Sequence, residues 1–233
     1  MPYAVPFIER MRIFEHLVRA DRLVHQPPNG PGVPVHVRRG RVLEDGLAAL
    51  ERAGGAGMKK RLCVIYMNDA GAQEAGIDMG GLYKDFHTDL SAMAFDMSYG
   101  LFATTADGLM FPNPQSRAVH GPETHLRLFE FLGRVLGKAL YEGITIQPQF
   151  ATFFLGFMRG KCNYMTLFND LAGLDEELYR NLVFLKSYDG AGVEDLGLTF
   201  TVTEDNFGAN TEVELVPGGA NVGVTSSNRL EYV

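Results

Sequence analysis

Residues 174–190 read LDEELYRNLVFLKSYDG. Leu178, Leu182 and Leu185 fall at i, i+4 and i+7, the spacing of one helix face. Tyr179 and Val183 make a second apolar stripe beside the first, and Phe184 points well away from both. One apolar stripe is enough to hold a surface helix on a core. A second apolar face implies a second contact. The period then changes. LGLTFTV (196–202) and TEVELV (211–216) alternate apolar and polar residues as half-buried strands do, with a turn at Pro217-Gly218-Gly219. A helix followed by short hairpin-type strands sets the fold class as α+β.

Working outward, the same pattern repeats with helices dominant. HLRLFEFLGRVLGKALYEG (125–143) is a helix that Gly143 is placed to stop. Its inner Gly133 and Gly137 each cost about 1 kcal/mol against alanine, and they predict a smooth strip where another backbone approaches. FATFFLGFM (150–158) is apolar nearly all round and predicts a buried helix. LFATTADGLMFPNP predicts a hairpin turning at Asp107-Gly108. Residues 80–95 read as a helix, Leu62–Met67 as a buried strand, and Val33, Val35 and Val37 as a short strand leading into a helix that AGGAG (53–57) ends. Residues 6–24 have helical spacing. HQPPNGPGVP (25–34), with four prolines and two glycines, is a linker. At the other end, Thr225 or Asn228 is read as an N-cap, with Glu231 completing a capping box after Asn228. An isolated helical turn has no stability of its own, so the chain reads as a fragment cut inside a domain.

Composition excludes several classes. The chain has 233 residues and a net charge of −7, the wrong sign for a general nucleic-acid binder. Arg38-Arg39-Gly40-Arg41 and Lys59-Lys60-Arg61 sit inside patterned segments and read as solvated edges. Two cysteines, Cys63 and Cys162, form neither a disulfide framework nor a CxxC zinc pair, which points to a reducing compartment, cytoplasmic or nuclear. No stretch is long and apolar enough to span a membrane.

No catalytic motif is present: no HExxH, Walker loop, GxSxG or GxGxxG. The glycines of GIDMGG and VPGGA are read as turns rather than phosphate cradles. His120 and His125 are five apart, a poor spacing for two metal ligands on one helix face. Cys63 reads as a core thiol. Arg159 and Lys161 favour a thiolate at Cys162, but a position after a helix C-terminus opposes one. No metal or cofactor is expected.

Seven stretches, in order, resemble the HECT-type ubiquitin ligases: VHVRRGRVLEDGLAAL, EAGIDMGGLYKDF, GRVLGKALYEG, LVFLKSYDG, EDLGLTF, ELVPGG and VTSSNR. Each is weak alone; together, in register, they are specific. The leading MPYAVPFIERMRIFEHLVRADR resembles the helix before the domain in the subfamily that carries IQ motifs upstream. The resemblance implies the N-lobe of a HECT domain, which binds a ubiquitin-conjugating enzyme, while a separate C-lobe carries the cysteine that accepts ubiquitin. Neither Cys63 nor Cys162 matches that cysteine, so the C-lobe is expected to be absent. The implied organisation is an N-terminal helix and linker over 1–32, a large subdomain over 33–148, and over 149–233 a small subdomain that binds the conjugating enzyme, with the truncated start of the return to the large subdomain.

The resemblance also implies a groove for that enzyme. It would be lined by Leu178, Leu182, Leu185 and Tyr188 from the helix and its end, Leu196 and Leu198 from the following strand, and Tyr232 from the final turn. Tyr179, Val183 and Phe184 would then face the core. Plain core packing is the competing reading for every one of these residues. The implied partners are the conjugating enzyme, ubiquitin carried on it, and substrates held by regions outside this chain. Two other readings stand beside this one: a non-catalytic form that sequesters conjugating enzymes, and a stand-alone thiol enzyme using Cys162.

Overall fold

The structure, a computed structural model, describes residues 4–68, 70–74, 81–160, 162–188, 192–206 and 209–233. The GIDMGG turn, apart from Gly81, lies outside the described residues, as do Lys161 and Ala191. The chain divides into two compact units: unit 1 comprises 1–102 and 116–148, and unit 2 comprises 103–115 and 149–233. The architecture is α+β and mainly helical, with three two-stranded sheets among the described residues.

Unit 1 is built from α1 (Phe7–His25), β1 (Val33–Arg38), α2 (Val42–Lys59), β2 (Leu62–Met67), α3 (Gly81–Ala94), α4 (Ser116–His120) and α5 (Thr124–Glu142). β1 and β2 pair in parallel, Val35 opposite Val64 and Val37 opposite Tyr66, with α2 as the crossover. This sheet is therefore not a hairpin, unlike the two others. α2 does not stop at the glycines. It breaks at Gly54 (φ 63°) and resumes to Lys59. Val35, Val37, Leu43, Leu50, Tyr66, Phe86, Leu90, Phe131 and Leu132 are all buried, where α2 packs on β1, α3 and α5. α5 ends as expected, with Gly143 left-handed (φ 72°) and the Ile144 N–H donating to the Ala139 carbonyl at 2.8 Å. Gly133 and Gly137 differ from expectation. Both are exposed, and a Cβ on either would meet nothing within 4 Å.

α1 has no buried residue. Phe7 is 66% exposed, and Met11, Phe14 and Leu17 also face solvent. Only its last turns are tied down. The Lys59 ammonium donates to Asp21 at 2.9 Å, the Tyr141 hydroxyl to Asp21 at 2.8 Å, and Arg22 pairs with Glu142 at 3.0 Å. Gln26 donates to the Lys59 carbonyl and to Glu142. Glu142 also receives Lys138, whose ammonium is buried and donates in addition to the Lys60 carbonyl at 2.7 Å. A groove of about 690 Å³ runs between α1 and the end of α5, lined by Phe14, Val18, Arg22, Leu140 and Tyr141 among others. Nearby, His87 is buried, with its Nε2 on the Tyr83 hydroxyl at 2.8 Å and its Nδ1 without a hydrogen-bond partner.

Unit 2 contains most of the hairpin formed by β3 (Phe102–Thr104) and β4 (Met110–Pro112), followed by α6 (Thr152–Met158), α7 (Tyr164–Leu174), α8 (Glu176–Ser187), β5 (Thr201–Asn206), β6 (Ala209–Glu214) and α9 (Arg229–Tyr232). The hairpin turns where expected, with Gly108 left-handed (φ 76°) and its N–H on the Thr105 carbonyl. β4 joins the rest of unit 2 through Met110, which bridges to Phe150. α6 departs from expectation: it has no buried residue, and Leu155, Phe157 and Met158 are exposed. Among the described residues, Phe153 makes a ring contact with Phe111 and Phe154 with Phe150. β5 and β6 are antiparallel with Val202 opposite Val213. Asn228 does not cap α9. Its Oδ1 accepts from the Thr225 N–H and its Nδ2 donates to the Gly223 carbonyl, so the side chain closes the preceding loop instead.

Candidate docking face on unit 2

α8 begins where the Asp175 carboxylate accepts the Leu178 N–H at 2.9 Å, satisfying a donor that the first turn leaves unpaired. Glu176 and Glu177 follow in that turn, where negative charge favours the helix. The helix then presents three rows, each with a different fate.

The first row is Leu178, Leu182 and Leu185. Leu185 is 3% exposed and joins Val193, Phe200 and Val224 in a small core. It therefore serves packing and is not available to line a surface groove. Leu182 is half-buried, and Leu178, nearer the helix start, is 43% exposed. The second row is Tyr179, Val183 and Lys186. Tyr179 rests on the Phe168 ring of α7 at 5.4 Å, and the Lys186 ammonium lies over Phe168 at 4.6 Å and Tyr164 at 5.2 Å. Val183, on the same row, is partly exposed. The third row is Glu177, Asn181, Phe184 and Tyr188. Phe184 is 56% exposed and meets the Tyr188 ring edge-on at 5.4 Å. Phe184 does not face the core; it is the largest apolar side chain on the open side of α8.

The remaining residues come from the segment after α8. Val193–Leu196 form a 3-10 turn, so Leu196 is on a turn rather than a strand, and it is 44% exposed. Leu198 precedes β5 and is half-buried against the small core. The Val224 N–H donates to the Leu198 carbonyl at 2.8 Å. Tyr232 meets Phe200 edge-on at 5.4 Å. Phe200 is fixed by the turn at 217–219. Its N–H reaches the Gly219 carbonyl, and a Cβ at Gly219 would collide with the Phe200 carbonyl oxygen, so only glycine allows that approach. The structure thus brings Leu185, Tyr188, Leu198 and Tyr232 together around one core, and leaves Leu178 and Leu196 exposed. Sequence reasoning missed Phe184 as an open residue. The signal was present: it stands apart from both apolar stripes, on the line of Glu177 and Asn181.

The thiols show no such arrangement. Cys63 is half-buried on β2, and the Cys162 Sγ lies 3.9 Å from the Phe153 carbonyl. No cluster of three or more His, Cys, Asp or Glu able to hold a metal occurs among the described residues. No helix among them is long and apolar enough to cross a membrane.

The family described as HECT-domain (ubiquitin-transferase) matches residues 88–233. The E3 ubiquitin-protein ligase UPL6 of Arabidopsis thaliana is 40% identical over 236 residues, covering 100% of this chain and 22% of that protein. The ubiquitin-protein ligase E3B of Mus musculus is 39% identical over 241 residues, again 100% of this chain and 22% of the relative. The E3 ubiquitin-protein ligase HUL5 of Saccharomyces cerevisiae is 33% identical over 250 residues, 100% of this chain and 27% of the relative. The chain therefore spans about a quarter or less of the length of these relatives.

Proposed function

This chain belongs to the HECT-domain (ubiquitin-transferase) family, and from that premise we propose that unit 2 docks a ubiquitin-conjugating enzyme so that its ubiquitin can be handed to an acceptor cysteine outside residues 1–233. The observation that carries the proposal is the exposed start and open side of α8. Phe184 and Leu178, with Leu196 on the neighbouring turn, hold large apolar side chains in water beside a core that is already complete without them. Tyr188 and Leu182 border the face. Leu185, Leu198 and Tyr232 support it from beneath.

The contribution to catalysis is positioning. Holding the charged enzyme on the same polypeptide as the acceptor turns a bimolecular encounter into an intramolecular one. Fully burying a leucine or phenylalanine gains roughly 1.5–3 kcal/mol, and association entropy offsets several kcal/mol of the total. Three or four such side chains gain about 5–12 kcal/mol, so after that offset the affinity is micromolar or weaker. Weak docking suits a site that releases a spent enzyme and takes a loaded one.

Residues 1–233 are proposed to supply the docking and not the thiol, since Cys63 is fixed in a strand and Cys162 packs toward a backbone carbonyl. The test is to incubate this polypeptide with a ubiquitin-loaded conjugating enzyme and run a non-reducing gel. No reducible ubiquitin adduct is expected. An adduct that disappears in Cys162→Ala would overturn this part. Chemical-shift mapping with the unloaded enzyme should perturb residues around 177–188 and 196; perturbations confined to unit 1 would overturn the docking face.

A further inference from the structure

We infer that this face selects its conjugating enzyme by charge, taking one whose contact surface is basic around an apolar projection. The inference rests on the docking reading and adds the chemistry of the partner. Charge is divided very unevenly along the chain. Unit 2 holds 13 acidic and five basic side chains, net −8, while unit 1 holds 15 acidic and 16 basic, net +1. The whole negative charge of the protein thus belongs to the unit with the open apolar face.

The carboxylates are also placed beside the apolar contacts themselves. Leu178 follows Asp175, Glu176 and Glu177; Leu196 follows Glu194 and Asp195; Tyr232 follows Glu231. Glu177 shares the row of Phe184 and Tyr188. The Glu194 carboxylate accepts its own N–H and, at 3.1 Å, the Ser226 N–H, and these bonds, its own first, hold its carboxyl below the usual range. Few cations of unit 2 lie near this rim, and among the described residues none pairs with Glu177, Asp195 or Glu231. Lys186 covers the rings of α7 on another side of the helix. Arg180 sits 3.7 Å from Glu176, and the Arg229 guanidinium donates to the Ser226 carbonyl. Arg159, after α6, is the remaining described cation of unit 2. A partner bearing carboxylates would meet like charge at every apolar contact, whereas a basic one would be drawn in before contact.

The experiment measures association and dissociation rates between residues 1–233 and one recombinant conjugating enzyme with a net basic docking face, together with a version whose face lysines are changed to glutamate. Between about 50 mM and about 300 mM NaCl, the association rate is expected to fall about tenfold, with the dissociation rate little changed. The double variant Glu177→Lys/Asp195→Lys, both sites exposed, should slow association by about fivefold, and the charge-reversed enzyme should bind more than about tenfold weaker. Circular dichroism checks that the double variant is folded. Phe184→Ala tests docking separately, since it should act on dissociation. Association that ignores salt and both charge reversals, with Phe184→Ala still weakening the complex, overturns charge selection alone. Absence of binding at every salt concentration, or binding indifferent to Phe184→Ala, overturns the docking face and charge selection with it.

Discussion

Among the described residues, unit 1 buries 19 apolar side chains and unit 2 buries seven. Unit 2 is shorter, but not by that ratio. It has apolar residues enough and leaves many of them uncovered: Phe157, Met158, Met165, Leu178, Phe184, Leu196, Leu215 and Leu230 are all exposed. Unit 1 is close to neutral and unit 2 strongly acidic. The difference separates two ways of using apolar sequence. In unit 1, α2, α3, α5 and the parallel strands bury most of their apolar residues on one another, while α1 and Leu126 and Leu140 of α5 stay in water. In unit 2, a small core fixes α8 and its neighbours, and the surplus stays in water beside carboxylates, the arrangement on which the proposed docking face rests.

The comparison breaks most sharply if the core residues of either unit tolerate truncation. Phe131→Ala in unit 1 should cost about 3–5 kcal/mol and Leu185→Ala in unit 2 about 2–5 kcal/mol, read by urea unfolding followed with hydrogen exchange in each unit. If Leu185→Ala leaves stability intact, α8 lacks the core contact described for it. Unit 1 should also carry a pH signature. Burial, with the nearby Lys138 charge assisting, lowers the His87 imidazole from its ordinary value of 6.5 to about 4. The unfolded chain therefore takes up this proton before the folded one does, and stability should fall as pH drops from about 6.5 towards 4, by on the order of 3 kcal/mol. His87→Gln should flatten that window.

Docking variants sharpen the contrast at smaller energies. Phe184→Ala and Leu178→Ala should each weaken conjugating-enzyme binding by more than about tenfold, roughly 1.4 kcal/mol, measured by calorimetry. Stability should change by no more than about 0.5 kcal/mol, because both side chains are already in water. A variant that unfolds unit 2 would move its residue into the core and shrink the docking face. Smallest of all, Arg22→Ala removes a partly exposed pair with Glu142. It should cost less than about 1 kcal/mol, with faster amide exchange confined to α1.

Much of this was legible in the sequence. Period 3.6 placed α5 and α8, Gly143 marked the end of α5, and Asp107-Gly108 marked the turn of the β3–β4 hairpin. What failed is instructive. Spacing put Leu178, Leu182 and Leu185 on one line but could not say where along it the core stops. That is decided by Val193, Phe200 and Val224, which arrive from later segments. α6 is apolar all round, yet a seven-residue helix offers little face to pack, so composition overstated its burial. Alternation located β1 and β2 but not their parallel pairing, which depends on α2 crossing between them. Asn228 had the spacing of a cap, but two loop partners compete for its amide.

Lys138 has a consequence for α1. Its ammonium is satisfied by the Lys60 carbonyl and by Glu142, neither of which belongs to that helix. Lifting α1 away would strip Glu142 of Arg22, yet strand no cation in the interior. The first helix is thus an attachment rather than a keystone: a polypeptide beginning at the linker should keep the same interior, with every buried charge still answered from within.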